Sequence, residues 1–244
     1  MAFSLCFRSW ASAGPRVAVD GDDPMTWSII EPYLPDLWEG FVTTIWLSVL
    51  TLGAATPIAL AIALARHLGP RWLSVVLGIF VNLVRLLPAL IVLYLVFYGS
   101  PQLGVRFQPL TAAAIGLIAM GAAYMSEDIR GGLAAVPQGP LTAAAAIGLS
   151  RTHTIRRILL PIALPLTIPP YMTRAIIMVK GTSLASLVSV SDLTAEATRA
   201  SSITYQPYAF VVIAGALYLA INGVLAIVQI LAERHFRRRY RMAL

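Results

Sequence analysis

The run FVTTIWLSVLTLGAATPIALAIALA, residues 41–65, sets the class of fold, because its 25 residues include no charged side chain. An α-helix rises about 1.5 Å per residue, so this run is long enough to cross the ~30 Å hydrocarbon core of a bilayer. The whole chain agrees, since 58% of its 244 residues are hydrophobic and only 12% are charged. Soluble domains carry roughly 25% charged residues. Lipid is therefore the main solvent of this chain.

Further apolar runs follow along the chain, and the last of them, residues 207–231, is again free of charge. The run at 109–126 is rich in alanine and glycine, which permits close packing of helices in a membrane. Residues 36–240 are therefore predicted to form the membrane domain, and residues 1–35 an irregular tail. The pattern predicts an all-α, polytopic membrane protein with five crossing helices, at about residues 41–65, 86–101, 109–126, 168–190 and 207–231.

A charge interrupts the apolar sequence between the first and second crossings. One long helix centred on Arg85 would bury that charge at the middle of the bilayer, which is costly. We therefore predict an elbow helix lying along the interface over residues 71–84, followed by a crossing helix over 86–101. Pro88 then falls in the first turn of the crossing helix, where a missing N–H group is tolerated.

The basic residues predict the orientation of the chain. The formal net charge is +7, and Lys180 is the single lysine among 18 basic residues. Arginines follow the first and fifth crossings and occupy residues 131–165, and loops held in the cytoplasm carry such an excess. The N-terminus is therefore predicted outside the cell and the C-terminus inside. The C-terminal arginines are interpreted as a contact with anionic membrane lipid, and no nucleic-acid partner is expected.

Residues 131–165 are too polar to cross, and they contain a helix–turn–helix over residues 139–161, called the hairpin below. Thr142 can cap a short alanine-rich helix, and Gly148 can end it in a left-handed turn. A second short helix, basic on one face, is predicted over residues 151–160 and is stopped by Pro161. A hairpin of this size outside the membrane is a projection that another protein can bind.

The hairpin resembles the EAA loop of bacterial ABC importer permeases. That loop reads Glu-Ala-Ala, three residues, Gly, nine residues, Ile, one residue and Leu-Pro. Thr142 stands where the motif has Glu, and the resemblance implies that the seven positions form the site that couples the permease to a separate ATPase. The positions in register are Ala143, Ala144, Gly148, Ile158, Leu160 and Pro161.

Three further segments are similar to the polar amino acid branch of that family, the histidine, glutamine and lysine/arginine/ornithine permeases. They are Arg85-Leu86-Leu87-Pro88, the Gly121–Gly132 segment with Glu127 and Arg130, and Lys180-Gly181-Thr182-Ser183-Leu184. The resemblance implies a type I importer in a bacterial inner membrane. Its partners would be an ATPase dimer, a second permease (identical or homologous) and an extracytoplasmic solute-binding protein. Glu127 and Arg130 are either an interface pair or a simple ion pair three residues apart on one helix.

The fourth crossing carries the candidate substrate pathway, at Arg174, Lys180, Thr182 and Ser183. A charge inside a membrane span normally faces a cavity or a partner. Similar permeases of the basic amino acid branch have Glu where this chain has Arg174, so we hypothesise that the substrate carries an extra carboxylate, as acidic amino acids and opines do. A pairing of Arg174 within the subunit is the alternative.

The chain has no ATP-binding loop of its own. A Walker A loop needs Gly-Lys-Ser/Thr after a glycine-rich turn, and Lys180 follows Val179 within a predicted span. ATP and Mg²⁺ are therefore expected in the partner ATPase, with no cofactor, metal site or enzymatic activity in this chain. An ion-coupled secondary transporter is the alternative function. Three histidines and one cysteine, Cys6, are too few and too scattered to suggest an intramembrane enzyme.

Overall fold

The computed structural model describes residues 24–240, with side chains from 27 to 236, and all regular structure in that range is helical. Residues 24–33 form a short helix and a 3₁₀ turn rather than the predicted irregular tail, and residues 1–23 lie outside the described range. The remaining helices belong to a second compact unit that begins at Leu34. The helices are α1 Pro24–Ile30, α2 Leu34–Leu68, α3 Arg71–Leu86, α4 Ala89–Gly99, α5 Pro109–Ala134, α6 Gln138–Ala146, α7 Arg151–Thr154, α8 Leu160–Gly181, α9 Leu193–Thr204 and α10 Pro207–Tyr240.

Four helical segments of the described chain, which include α2, α5, α8 and α10, are long and apolar enough to cross a membrane. The α3–α4 pair makes a fifth crossing when it is counted as one broken span, and its two helices meet at 101°. The bend falls at Leu87 and Pro88, which are both extended, with ψ near 140°. A residue before proline avoids the helical region, so the predicted break between an elbow helix and the next helix is confirmed. The second helix of the pair begins at Ala89 rather than at residue 86.

Helix α5 lies at the centre of the bundle and packs against α2, α4 and α8. Its small residues permit this, as the sequence indicates. A Cβ atom on Gly132 would lie 2.0 Å from the hydroxyl oxygen of Thr167 on α8, so only glycine allows the two helices to approach this closely. Five alanines of α5 are buried, at positions 112, 113, 114, 122 and 123.

Helix α8 begins earlier than predicted and continues the helical path that starts at Arg151. The prediction that Pro161 stops the second hairpin helix is therefore wrong. A π turn over Ile155–Leu159 precedes the proline, and the N–H of Leu160 donates to the carbonyl of Ile155. The wider turn accommodates Pro161, which has no N–H group to donate within the helix. Helix α8 then passes into a 3₁₀ segment, Thr182–Val188.

Helix α9 was not predicted, because it is short and polar. Its buried residues Leu193, Ala197 and Ala200 recur at helical spacing and face α2 and α10. The hairpin defines one end of the bundle, called the hairpin end, where α2 and α5 finish and α7 begins. Arg151 donates there to the carbonyl of Leu68, at 3.0 Å. Helix α9 belongs to the other end.

Candidate functional site

The first arm of the hairpin is α6, which is held by its apolar side and exposes its small residues. Leu141 packs against the core and Ala144 is 2% exposed, whereas Thr142 and Ala143 are exposed. The prediction that Thr142 caps this helix is wrong, because α6 begins four residues earlier, at Gln138. Its hydroxyl donates instead to the carbonyl of Gln138, at 3.0 Å.

The turn of the hairpin follows the prediction. Gly148 has φ of +69°, a conformation that costs side-chain-bearing residues about 1 kcal/mol. The N–H groups of Gly148 and Leu149 donate to the carbonyls of Ala145 and Ala144 and so close the end of α6. Of the later motif positions, Ile158 is half-buried in the π turn, and Leu160 and Pro161 line a cavity on the side of α8.

One carboxylate, Glu127 on α5, contacts arginines from three helices. Arg66 of α2 donates to one of its oxygens, and Arg130 of α5 donates to the other through Nη2, at 2.7 Å. Arg85, at the end of α3, lies 3.8 Å away. The Glu127–Arg130 ion pair forms at the spacing noted in the sequence, and Glu127 also contacts arginines of two other helices. Because the Glu127 side chain is only 14% exposed, this carboxylate ties the elbow and α2 to the central helix.

The next residue, Asp128, links α8 to the central helix α5 through a second ion pair. Arg174 donates to both carboxylate oxygens of Asp128, with Nε–Oδ2 of 2.9 Å and Nη2–Oδ1 of 3.3 Å. The guanidinium of Arg174 also lies 4.7 Å from the ring centre of Tyr124, which is 5.4 Å from the guanidinium of Arg85. Such contacts place cations on the ring's negative face. We call these six charged residues the paired cluster: Arg66, Arg85, Glu127, Asp128, Arg130 and Arg174.

The other predicted pathway residues are placed differently from one another. Lys180 is exposed on α8, and no described carboxylate pairs with it. Thr182 is buried, and its hydroxyl donates to the carbonyl of Val179. Ser183 is half-buried and donates to the carbonyl of Lys180. Pro88 directly precedes α4 and fixes the elbow bend.

A second buried carboxylate, Asp192, lies at the other end of the bundle. It is fully buried, caps α9 and accepts the N–H of Ala195, at 2.9 Å. The hydroxyl of Tyr218 on α10 donates to it at 3.3 Å and also contacts Thr194. Thr44 of α2 accepts the N–H of Leu193. We call these residues the Asp192 node: Thr44, Asp192, Thr194 and Tyr218.

Asp192 differs from Glu127 and Asp128 in its partners. No arginine or lysine pairs with Asp192 in the described chain, and burial raises its pKa to about 6. Sequence reasoning did not single out Asp192, although an aspartate directly before a helix is a capping signal that could have found it. It also did not assign Asp128, Tyr124 or Arg66 to a site, because their partners are distant in the sequence.

The chain matches a protein family and is similar to several individual proteins. Residues 37–238 match a family described as "Binding-protein-dependent transport system inner membrane component". The octopine transport system permease protein OccM of Rhizobium meliloti is 34% identical over 206 residues, 78% of this chain and 84% of that protein. The glutamine transport system permease protein GlnP of Escherichia coli is 31% identical over 213 residues, 86% of this chain and 97% of the relative.

A solved structure has the same fold. The crystal structure of an amino acid ABC transporter with histidines contains a chain that is 27% identical to this one, with a TM-score of 0.79. The superposition covers 84% of the present chain and 96% of the other.

Proposed function

This chain belongs to the family of binding-protein-dependent transport system inner membrane components, and from that premise we propose how it moves its solute. It is a multi-pass permease subunit of an ABC importer in an inner membrane. We infer that a separate ATPase, which binds ATP and Mg²⁺, docks on the hairpin and drives the transport. The N-terminus would then lie outside the cell and the C-terminus inside, with the hairpin in the cytoplasm.

The exposed hairpin is the observation that carries this proposal. Helix α6 is anchored by Leu141 and Ala144, and its outer positions Thr142 and Ala143 are exposed among the residues that the structure describes. The small alanine side chains leave room for a partner to approach the backbone. Thr142 removes the carboxylate of the family motif, so the contact with the ATPase is expected to depend on shape more than on charge.

The assembled transporter would contain two membrane subunits, two ATPase subunits and a solute-binding protein outside the cell. Rocking of the two membrane subunits about their interface would alternate access to the solute. Family membership argues against the ion-coupled secondary transporter considered from the sequence, because such a transporter works without an ATPase.

The solute is proposed to be a polar amino acid or an amino acid conjugate. The relatives named above transport octopine and glutamine, and a further relative is the nopaline transport system permease protein NocM of Agrobacterium fabrum. We propose that Arg174 and Lys180 line the pathway and favour solutes with an extra carboxylate, with Thr182 and Ser183 shaping the backbone beside them. Asp128 holds Arg174 in this state, so a solute carboxylate would have to compete with Asp128.

A docking experiment tests the coupling. The chain is co-expressed with its cognate ATPase and binding protein, and the amount of ATPase retained on the purified permease is measured. Ala143→Arg is expected to abolish retention. The matched control Ala145→Arg, on the opposite face of α6, should keep it. Equal retention by both variants would remove the hairpin from the coupling mechanism.

A transport experiment tests the solute class. ATP-dependent uptake of glutamine, glutamate and octopine is measured in proteoliposomes for the wild type and for Arg174→Glu. We expect the variant to lose its preference for solutes with an extra carboxylate. The paired exchange Asp128→Arg with Arg174→Asp keeps the ion pair and serves where the single variant does not fold. Unchanged preference in both variants would exclude Arg174 from recognition.

A further inference from the structure

An apolar groove runs between α2 and α8, with α5 as its floor, and encloses a cavity of about 590 Å³. Helix α2 lines it with one residue per turn, at Thr56, Leu60 and Leu64. Tyr171 closes one end by its hydroxyl contact with Thr56, and Arg156 stands at the hairpin end. Arg156 and Tyr171 are fifteen residue steps apart, which corresponds to roughly 22 Å at a helical rise of 1.5 Å per residue.

The hydroxyl groups that line this groove are already hydrogen-bonded within the chain, so they are not free to bind a polar solute. Nine of its thirteen lining residues are apolar. The Thr56 hydroxyl donates to the carbonyl of Leu52, and the Thr167 hydroxyl donates to the carbonyl of Ala163. An amino acid would leave its ammonium and carboxylate groups without partners here, which is costly in an apolar site. The groove is therefore suited to a hydrocarbon chain.

Arg156 is the exception. Its side chain is exposed, and no described residue forms an ion pair or hydrogen bond with it. Arg157, the next residue, does not line the groove, so Arg156 supplies the positive charge at its mouth. No described carboxylate lines the groove, and Glu127 and Asp128, which precede the lining residue Ile129 on α5, are bound by arginines. An anionic head group is the complement of this mouth.

We propose that the groove binds one anionic phospholipid, with its phosphate on Arg156 and one acyl chain along the apolar walls. One leaflet contributes about 15 Å of hydrocarbon, half of the ~30 Å core, and the groove is long enough to hold it. Basic pockets between membrane helices on the cytoplasmic side are known to bind such head groups. Leu160 and Pro161 line the groove and also belong to the hairpin motif, so the lipid would touch the segment that links the hairpin to α8.

Native mass spectrometry of the purified transporter tests the site. The complex of permease and ATPase is extracted from bilayers of phosphatidylcholine with phosphatidylglycerol, and retained phosphatidylglycerol is counted. Arg156→Ala is expected to retain about fivefold less of it, since one basic residue contributes about 1 kcal/mol to such binding. The matched control Arg157→Ala should retain the wild-type amount, because Arg157 does not line the groove. Equal loss in both variants would mean unspecific charge attraction and would overturn the proposal.

A second pair of variants tests the acyl chain. Leu164→Trp fills the groove without changing its charge and should also lose the lipid, whereas Leu219→Trp, exposed on α10, should not. Displacement of phosphatidylglycerol by glycerol phosphate would show that the site binds the head group without the acyl chain, and would contradict the proposal. Disulfide formation between two copies of Leu164→Cys, in a Cys6→Ser background, would show that a second permease covers the groove instead. Lipid retention is measured without transport, so it does not depend on the solute.

Discussion

The paired cluster and the Asp192 node bury carboxylates in opposite ways. In the paired cluster, Glu127 and Asp128 are bound by arginines from α2, α5 and α8. In the Asp192 node, the carboxylate has only N–H and hydroxyl donors. Burial without a counter-charge favours the neutral form of a carboxylic acid. The hairpin end is therefore linked by ion pairs, whereas the link at the other end depends on pH.

The largest effect is expected from Glu127→Gln. Three arginines would lose their shared counter-charge, and breaking a buried pair costs on the order of 3 kcal/mol. Reversible unfolding in detergent by added sodium dodecyl sulfate measures the change in the free energy of unfolding. Asp36→Asn is the matched control, because Asp36 and its partner Arg199 are both largely exposed, and it should cost less than about 1 kcal/mol. Similar losses for the two variants would mean that burial of the paired cluster does not matter.

A double-mutant cycle sharpens the same comparison for the α5–α8 tie. Asp128→Asn, Arg174→Gln and the double variant are unfolded under the same conditions. Because Arg174 forms two hydrogen bonds with Asp128, we expect a coupling energy of about 1.5 kcal/mol. Strictly additive effects would show that the two side chains act independently.

A smaller effect is expected at the Asp192 node. Because the pKa of Asp192 in the folded chain is raised to about 6 from 3.8, the folded state binds the proton more tightly than the unfolded state. The stabilisation by this proton is complete below pH 3.8 and is lost as the pH rises through 6. Raising the pH from 5 to 7 should therefore lower the free energy of unfolding by about 1 kcal/mol.

The variant Asp192→Asn isolates the contribution of Asp192 to the pH dependence of the free energy of unfolding. The variant cannot ionise at position 192, so the difference between it and the wild type should vary with pH by the same amount and in the same range. All other titratable groups are the same in both proteins, so their contributions cancel in the difference. A pH-independent difference would show that Asp192 keeps its ordinary pKa.

The features that sequence predicted are those that depend on local pattern. The uncharged runs predicted crossing helices, the charge of Arg85 predicted the break after the elbow helix, and Gly148 predicted the left-handed turn. The spacing of Glu127 and Arg130 likewise indicated their ion pair. Each of these follows from the preferences of neighbouring residues, so no knowledge of the packing was needed.

The features that sequence missed depend on packing. Arg66 meets Glu127 across 61 residues, and Arg174 meets Asp128 across 46. Neither pairing can be found without the register of one helix against another. Pro161 was misread for a related reason, since a proline ends a helix unless the preceding turn widens, and the π turn at Ile155–Leu159 does so. Helix α9 was missed because its stability comes from contacts with α2 and α10 rather than from an apolar run.

The hairpin as the docking site of the ATPase is the central claim, and site-specific cross-linking tests it most directly. In a Cys6→Ser background, a single cysteine is placed at Thr142, or at Leu103 as the control, which is 85% exposed in the turn after α4. A short bifunctional reagent is then applied to membranes that contain the whole transporter. We predict a cross-link to the ATPase from position 142 and none from position 103. No ATPase adduct at position 142, in complexes that hydrolyse ATP, would contradict the account.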